Sequence, residues 1–333
     1  MHEPTFWRAA PGGGGWGRAL AQPLAWLYQT GAQIRAGLAR PRRAGPPVVC
    51  VGGATLGGAG KTPVALSLLE AFRAAGLEAH AATRGYGGRL RGPVQVDAMA
   101  HTAAQVGDEA LLLAHVAQTW VSKNRFAGVR AAAEAGAELV VLDDGLQNPN
   151  VAKDFALLVI DGEDPDGNGA TFPAGPLRAP WPRAAARSDA IVVIGGDQGA
   201  IAGLQAKIGA AGADKPWLYA TLEPFAPPPD RPVLAFAGLA RPSKFFTALE
   251  RAGAEVAERA AFADHHQYAD TDLAALAERA RTLDAQLITT AKDAVRLPAA
   301  WRPHVAVFNV AARFEEADAL PGLLERIAEA AAA

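Results

Sequence analysis

The sequence predicts an α/β fold with a mostly parallel sheet, helices on both of its faces, and a smaller C-terminal α/β domain. Two observations support this prediction. Short apolar runs, for example at residues 48–51 and 139–142, alternate with stretches of helical period. These runs are apolar at every position, as expected for parallel strands that are buried on both faces.

The elements of the predicted main domain, residues 47–225, follow one another in α/β order. Strands are predicted at 48–51, 139–142, 155–160 and 190–194, and helices at 64–75, 108–117 and 126–135. Residues 221–232 are rich in proline, which cannot continue a helix or a central strand. This stretch is therefore the predicted domain boundary.

The predicted second domain spans residues 226–333. It repeats the α/β pattern, with strands predicted at 233–237, 287–290 and 305–310 and a helix at 243–252. The alanine-rich tail from Leu320 predicts a terminal helix.

The bulk composition limits the function classes. A formal net charge of -2 over 333 residues gives no reason to expect a nucleic-acid-binding protein. The single cysteine, Cys50, lies in an apolar run and is expected to be buried. No secretory signal pattern begins the sequence, and the apolar stretch at 19–34 is too short to span a bilayer.

Residues 1–46 form a predicted N-terminal segment with one amphipathic helix, near residues 23–40. Its apolar side chains recur at the helical period and include Leu24, Leu27, Tyr28, Ile34 and Leu38. Such a helix could lie in a membrane interface or pack on the protein's own core. The pattern alone leaves both interpretations open.

The stretch GGATLGGAGKTP, residues 52–63, predicts a phosphate-binding loop between a strand and a helix. The usual pattern G-x-x-x-x-G-K-[ST] has glycine where this chain has Thr55. The glycines beside the expected phosphates remain, Lys61 can reach the β- and γ-phosphates, and Thr62 can ligate Mg²⁺. The predicted ATP-binding residues are Thr55, Leu56, Gly57, Gly58, Ala59, Gly60, Lys61 and Thr62, within a P-loop NTPase-like domain.

Two acidic pairs are candidates for the metal and for proton transfer. Asp143 and Asp144 follow a predicted strand, where ligands bind in α/β sheets, and Gln147 comes shortly after them. Asp108 and Glu109 begin a predicted helix, where capping alone could explain them. A kinase acting on an alcohol also needs a base near the acceptor hydroxyl, and one of these acids could serve.

Several polar groups remain open between surface positions and substrate contacts. Arg84 and Tyr86 lie in a glycine-rich loop, and Asn124 and Arg125 precede a helix. Arginine forks suit phosphate, although solvated surface charge is the common alternative. In the second domain, His265 lies beside Asp264, and a histidine with a carboxylate is suited to proton handling.

Taken in order, these motifs resemble those of the tetraacyldisaccharide 4'-kinase family, the lipid A 4'-kinases of Gram-negative bacteria. The resemblance covers most of the chain and rests on GGATLGGAGKTP, TRGYGG, GDEALLLA, KNR, DDGLQN, GPLR, FAGLARP, FADHHQY and AKDAVRL. Thr55 is expected in this family, which has a small hydroxyl residue there.

The resemblance implies that ATP phosphorylates the 4'-hydroxyl of tetraacyldisaccharide 1-phosphate, giving lipid IVA, with Mg²⁺ as cofactor. It implies a peripheral enzyme on the cytoplasmic side of the bacterial inner membrane, and it favours the interfacial interpretation of the N-terminal helix. Asp108 is implied as the catalytic acid or base with His265 as its partner, and Lys61 as a catalytic cation. Thr62, Glu109 and Asp143 are implied on the Mg²⁺ side. Arg84, Tyr86, Asn124, Arg125, Asp144 and Gln147 are implied as substrate or supporting residues.

Three other functions share parts of this pattern. A P-loop switch or ATPase would have the loop but would need no acceptor pocket in a second domain. A nucleotide-responsive membrane adaptor would not need Lys61, Thr62 and Asp143 together. A soluble small-metabolite kinase would not need an amphipathic N-terminal helix.

Overall fold

The thirteen strands in the computed structural model, which describes residues 4–9 and 12–332, form two sheets. They are β1 Val48–Gly53, β2 Ala79–Thr83, β3 Val94–Gln95, β4 Thr119–Val121, β5 Leu139–Asp143, β6 Phe155–Asp161, β7 Ala190–Ile194, β8 Trp217–Pro224, β9 Val233–Ala237, β10 Val256–Ala261, β11 Gln286–Thr290, β12 Ala306–Phe308 and β13 Val310–Phe314. The predicted segment 1–46 includes residues 1–3 and 10–11, and the predicted segment 226–333 includes residue 333. These six residues lie outside the described ranges.

The same described residues also form eleven α-helices. They are α1 Gly15–Leu38, α2 Lys61–Ala74, α3 Ala103–Val106, α4 Asp108–Ala114, α5 Arg125–Glu134, α6 Trp181–Ala186, α7 Gln198–Ile208, α8 Pro242–Arg251, α9 Asp270–Thr282, α10 Ala291–Ala294 and α11 Ala319–Ala332. Short 3₁₀ turns lie at Thr5–Arg8, Gly209–Gly212 and Arg302–His304.

The larger sheet has nine strands in the order β13-β8-β7-β6-β1-β5-β2-β4-β3. Its central strands are parallel, while β3 and β13 pair antiparallel at the two edges. Helices α2 and α11 cover one face, and α5, α6 and α7 cover the other. The continuous burial of β1, β5 and β6 follows from this arrangement and confirms the predicted fold class.

The smaller sheet has four parallel strands in the order β10-β9-β11-β12. Helix α8 packs on one face through Phe245 and Leu249, and α9 packs on the other through Leu273 and Leu276. Because the sheet is covered on both sides, β9 is buried at every position.

The course of the chain differs from the predicted division in two places. Strand β8 continues through Pro224 into the proline-rich stretch and pairs with β13, so the prediction that no central strand enters 221–232 is wrong. The strand predicted at 305–310 is two strands, β12 and β13, which belong to different sheets. The division assigned residues 226–333 to the smaller domain, whereas β13 and α11 join the large sheet. The physical reason is that α11 buries Leu323 and Ile327 against its core.

Candidate active site

The phosphate loop follows β1 and ends at the first turn of α2. Gly57, Gly58 and Gly60 have positive φ values of 78°, 48° and 80°, which favour glycine. The opposite side of the loop is held by pairing, because Thr55 bridges Leu177 in antiparallel fashion. Thr55 is not among the residues with positive φ, so position 55 needs no glycine although the usual pattern has one there.

Asp144 is the centre of a cationic cluster at the end of β5. The Lys61 ammonium lies 3.6 Å from its Oδ1, and Arg178 Nη1 donates to both of its oxygens at 2.9 and 2.8 Å. Burial would raise the pKa of Asp144, but Lys61 and Arg178 outweigh it and hold the pKa well below its usual range. Asp144 thus stays ionised and fixes the Lys61 side chain near the loop.

Asp143, by contrast, is a fully buried carboxylate without a hydrogen-bond partner in the described part of the chain. Neither of its oxygens accepts a hydrogen bond from the described residues. Burial, together with the charges of Glu109 and Asp144, raises its pKa to about 8. Burying a carboxylate that accepts no hydrogen bond lowers the free energy of unfolding. The presence of Asp143 at this position therefore points to a cationic ligand.

Asp108 links the part of the protein that contains the large sheet to the part that contains the smaller sheet. It begins α4, and its Oδ2 accepts from Arg296 Nη2 and lies 2.9 Å from His265 Nδ1. Both partners come from the smaller sheet's side. Burial raises the pKa of Asp108, but the hydrogen bonds from His265 and Arg296 and the charge of Arg296 outweigh it, so the pKa falls well below its usual range. No hydrogen bond among the described residues uses Asp108 Oδ1. That oxygen can therefore accept a hydrogen bond from a hydroxyl group of a ligand.

His265 is positioned by its backbone as well as by Asp108. Its φ of 59° lies in the left-handed region, as does that of Asp144 at 52°. Such values are costly for residues other than glycine and occur often at functional sites. The Tyr86 ring lies 5.3 Å from the imidazole, centroid to centroid, and is itself largely exposed.

Arg296 should be a strong contributor to stability because its side chain is fully buried between Asp108 and Asp293. Replacing it with methionine leaves two buried carboxylates without their main partner, and we expect unfolding free energy to fall by about 3–5 kcal/mol. Urea unfolding of Arg296→Met would measure this. Arg281→Met is the control, since Arg281 forms an exposed pair with Glu278 and should change stability by no more than about 0.5 kcal/mol. Equal midpoints for the two variants would contradict the interpretation.

This geometry can be compared with known proteins. A family model described as tetraacyldisaccharide-1-P 4'-kinase matches residues 17–328. The chain belongs to the tetraacyldisaccharide-1-P 4'-kinase family. The family predicted from the sequence motifs is thereby confirmed.

Relatives and one solved structure agree with this assignment. A tetraacyldisaccharide 4'-kinase from Rhodospirillum centenum is 47% identical, covering 97% of this chain and 96% of the relative. One from Maricaulis maris is 45% identical over 99% and 97% of the two chains. A crystal structure of LpxK from Aquifex aeolicus in complex with ATP superposes with a TM-score of 0.73 at 25% identity, covering 93% of this chain and 99% of that one.

In this member of the tetraacyldisaccharide-1-P 4'-kinase family, the residues predicted around the loop lie in contact. Lys61 and Asp144 form an ion pair, and Gln147 Nε2 donates to the Gly53 carbonyl at 2.7 Å. Asp108 and His265, 157 residues apart, are hydrogen-bonded. Glu109 is paired with Lys292 Nζ at 3.1 Å.

The other predicted residues lie further out. Asn124 caps α5, its Oδ1 accepting from the Ala127 amide, and Arg125 Nη2 donates to the Asp144 carbonyl at 3.5 Å. Arg84 is exposed. Burial and, after it, the charge of Arg84 lower the pKa values of Lys123 and Arg125.

Sequence reasoning assigned no role to several cations that the structure brings to the site. Arg241 donates from Nη2 to the Gly58 carbonyl at 3.0 Å and pairs with Asp161 at 2.5 Å, while Lys244 contacts Asp161 at 2.7 Å. Arg178 and Arg296 hold Asp144 and Asp108. All except Lys244 lie in the quoted motifs GPLR, FAGLARP and AKDAVRL. The sequence motifs therefore contain these arginines, but the sequence does not show which carboxylates they contact.

Proposed function

We propose that this chain transfers the γ-phosphate of ATP to the 4'-hydroxyl of tetraacyldisaccharide 1-phosphate, forming lipid IVA in lipid A biosynthesis. The observation that carries the proposal is that a nucleotide-binding loop and a group suited to proton transfer occur in one site. A phosphate loop lies on the large sheet, and a carboxylate–histidine pair suited to an acceptor hydroxyl bridges to the smaller sheet.

The nucleotide phosphates are proposed to bind at residues 55–62. The positive-φ glycines turn backbone amides toward the phosphates, and the first turn of α2 adds its positive end. Lys61, held by Asp144, stabilises negative charge on the transferred group.

The donor groups on this side fit a magnesium ion. Asp143 is a buried carboxylate that has no hydrogen-bond partner among residues 4–9 and 12–332, and Thr62 supplies the hydroxyl that P-loops use. These two residues would hold the ion, with Glu109 as a third ligand if it leaves Lys292. When bound, Mg²⁺ neutralises charge on the β- and γ-phosphates.

The Asp108–His265 pair is proposed to receive the proton of the acceptor hydroxyl. Asp108 is ionised, and its Oδ1 remains available while Arg296 and His265 hold Oδ2. The imidazole of His265, which is hydrogen-bonded to Asp108 Oδ2 through Nδ1, then shares the positive charge that the transferred proton adds to the pair. Ordered positioning of the base by two partners reduces the cost of aligning it with the hydroxyl.

The exposed side of α1 supports attachment to a membrane surface. The helix docks on the body through Ala25, which is buried, and Gln29, whose Nε2 donates to the Arg178 carbonyl at 2.9 Å. Large apolar side chains face outward at the helical period, namely Trp16, Leu20, Leu24, Leu27, Ile34 and Leu38. No helix among the described residues is long and apolar enough to cross a bilayer.

We therefore propose that α1 lies in the cytoplasmic interface of the bacterial inner membrane, with its apolar stripe among the acyl chains. This places the enzyme peripherally, where a lipid acceptor can reach the site without leaving the bilayer. The alternative in which the stripe packs on the protein's own core lacks support, because these side chains are 58–85% exposed.

The double variant Leu20→Glu/Leu27→Glu should lose binding to phospholipid vesicles, because it places two charges in the apolar stripe. Its thermal unfolding should match wild type, since both leucines are exposed. Co-sedimentation with vesicles measures the effect. The matched control is Gln22→Glu/Gln33→Glu, which adds the same charge at exposed positions that hold polar side chains in the wild type. Equal vesicle binding by both double variants would contradict the proposal.

The proposed reaction is tested by incubating the protein with γ-labelled ATP, Mg²⁺ and tetraacyldisaccharide 1-phosphate in detergent micelles. Label should appear in the lipid, and its appearance should depend on the acceptor. Hydrolysis of ATP without labelled lipid would instead favour the P-loop switch or ATPase interpretation. Labelling of a water-soluble sugar in preference to the lipid would favour a soluble metabolite kinase.

A further inference from the structure

One contact ties the phosphate loop directly to the part of the protein that contains the smaller sheet. Arg241, the residue before α8, donates from Nη2 to the Gly58 carbonyl at 3.0 Å, across 183 positions of the chain. Its side chain is only 16% exposed, so the contact is largely shielded from water. A hydrogen bond from a charged donor is stronger than one between neutral groups, and shielding strengthens it further.

The guanidinium of Arg241 is held at the loop by two carboxylates of the part that contains the large sheet. Nη2 pairs with Asp161 Oδ2 at 2.5 Å, and Nη1 pairs with Asp164 Oδ2 at 3.2 Å. Asp161 is the last residue of β6, which pairs with β1, the strand that leads into the loop. The two carboxylates therefore fix the planar guanidinium at one position relative to the loop.

The backbone at Gly58 leaves room for this guanidinium. A β-carbon at Gly58 would lie 2.8 Å from Arg241 Nη2, which is too close for two atoms that are not bonded to each other. The φ of 48° also favours glycine at this position. The absence of a side chain at Gly58 thus lets Arg241 reach the carbonyl.

The carbonyl that Arg241 contacts shares its peptide group with the amide of Ala59. Ala59 is buried, and its amide donates to no acceptor within residues 4–9 and 12–332. A buried amide of this kind needs an acceptor from a ligand, and the ligand proposed for this loop is phosphate. A hydrogen bond to the carbonyl of a peptide group strengthens the donor at its N–H, because the two ends are polarised together.

We infer that Arg241 is a positioning residue for nucleotide binding, which fixes and polarises the Gly58–Ala59 peptide so that the Ala59 amide donates more strongly to an ATP phosphate oxygen. The inference rests on the proposed binding of ATP at residues 55–62. Arg241 acts through the loop and not on the phosphate itself, because both of its terminal nitrogens already have protein partners. Tight binding of ATP therefore depends on the docking of α8 against the loop.

The variant Arg241→Gln should raise the dissociation constant for ATP, and with it the KM for ATP, by about tenfold, because a charge-assisted hydrogen bond is lost. The KM for the lipid acceptor should stay near wild type, since the acceptor hydroxyl is proposed to lie at Asp108. The variant should remain folded, because Lys244 Nζ still contacts Asp161 at 2.7 Å and keeps that buried carboxylate paired. Equilibrium dialysis with labelled ATP and steady-state kinetics in both substrates measure these effects.

The matched control is Arg251→Gln. Arg251 is the last residue of the same helix, α8, and it pairs with Glu163 of the large-sheet part at 3.2 Å. This pair links the same two parts of the protein, but Glu163 lies outside the loop and the Arg251 side chain is 73% exposed. The control should keep the wild-type affinity for ATP. An equal rise of the ATP dissociation constant in both variants, or an equal rise of both KM values in Arg241→Gln, would overturn the inference.

The amide proton of Ala59 gives a direct measurement of the polarisation. In NMR spectra recorded without nucleotide, its resonance should move upfield in Arg241→Gln, because a less polarised N–H leaves the proton more shielded. The same resonance should keep its position in Arg251→Gln. An unchanged Ala59 resonance in Arg241→Gln would contradict the positioning role even if ATP binding weakened.

Binding measurements separate this inference from the proposed function. Wild type that binds ATP but transfers no label to the lipid would contradict the proposed lipid kinase activity alone. The ATP affinities of Arg241→Gln and Arg251→Gln decide the role of Arg241 in that case too, because neither measurement needs an acceptor. A wild-type ATP affinity in Arg241→Gln overturns the inference whichever reaction the protein catalyses.

Discussion

Replacement of Asp108 by asparagine is expected to lower kcat by about 10²–10⁴-fold while ATP affinity remains nearly unchanged. Asparagine keeps the volume and can still accept from Arg296, but it cannot take up a proton. General-base catalysis commonly contributes a factor of this size. Single-turnover transfer of labelled phosphate to the lipid, together with equilibrium ATP binding, measures the two effects separately. Equal losses of ATP binding and turnover would contradict the assignment of Asp108 as the base.

The neighbouring histidines provide a control within the same loop. His265→Gln should lower kcat because it removes the Asp108 partner, whereas His266→Gln should leave kcat near wild type. His266 Nε2 lies 2.9 Å from Asp272 instead, within the smaller sheet's own layer. If the two variants lost activity equally, the effect would be on the fold of the loop and not on proton transfer.

Replacement of Asp143 by asparagine is expected to reduce kcat/KM by about 100-fold or more and to make the protein more stable when Mg²⁺ is removed. The loss follows from removal of a proposed metal ligand. The gain follows from burial, because the wild-type carboxylate is fully buried with no hydrogen-bond partner among the residues that the structure describes, and the amide carries no charge. Activity assays across Mg²⁺ concentrations and thermal unfolding in a chelator test the two halves. A variant that is both active and less stable would contradict the assignment.

The pH dependence of stability provides a second measurement on Asp143. Its pKa is raised from 3.8 to about 8 in the folded protein, first by burial and then by Glu109 and Asp144. Between these values the folded chain binds more protons than the unfolded chain, so this group lowers the unfolding free energy as pH rises. In a chelator, the difference in unfolding temperature between Asp143→Asn and wild type should therefore widen from pH 5 to pH 8. Saturating Mg²⁺ should reduce that difference. A pH-independent difference would contradict the role of ionisation.

Many of the buried strands of the two sheets could be predicted from the sequence, because the apolar patterns that identify them are local. The strand predicted at 233–237 has the bounds of β9, and the one at 190–194 has those of β7. Continuous apolar runs identify such strands wherever both faces are covered. Strand β10, by contrast, lies at an edge with alternating burial and was not predicted. The proline-rich stretch predicted that no strand would include Pro224. This proline is the last residue of β8, where its missing N–H is tolerated.

By itself, the sequence determined the loop, its lysine and threonine, and the acidic pairs at the ends of β5 and the start of α4. These depend on residue type and spacing, which the chain carries locally. Only the tertiary structure decided which charges meet. It brings Asp108 together with His265 and Arg296, and it pairs Asp144 with Lys61 and Arg178. Within the described ranges, Asp143 has no hydrogen-bond partner. The physical reason is that ion pairing and desolvation depend on distance and burial between segments far apart in the chain, which local patterns do not encode.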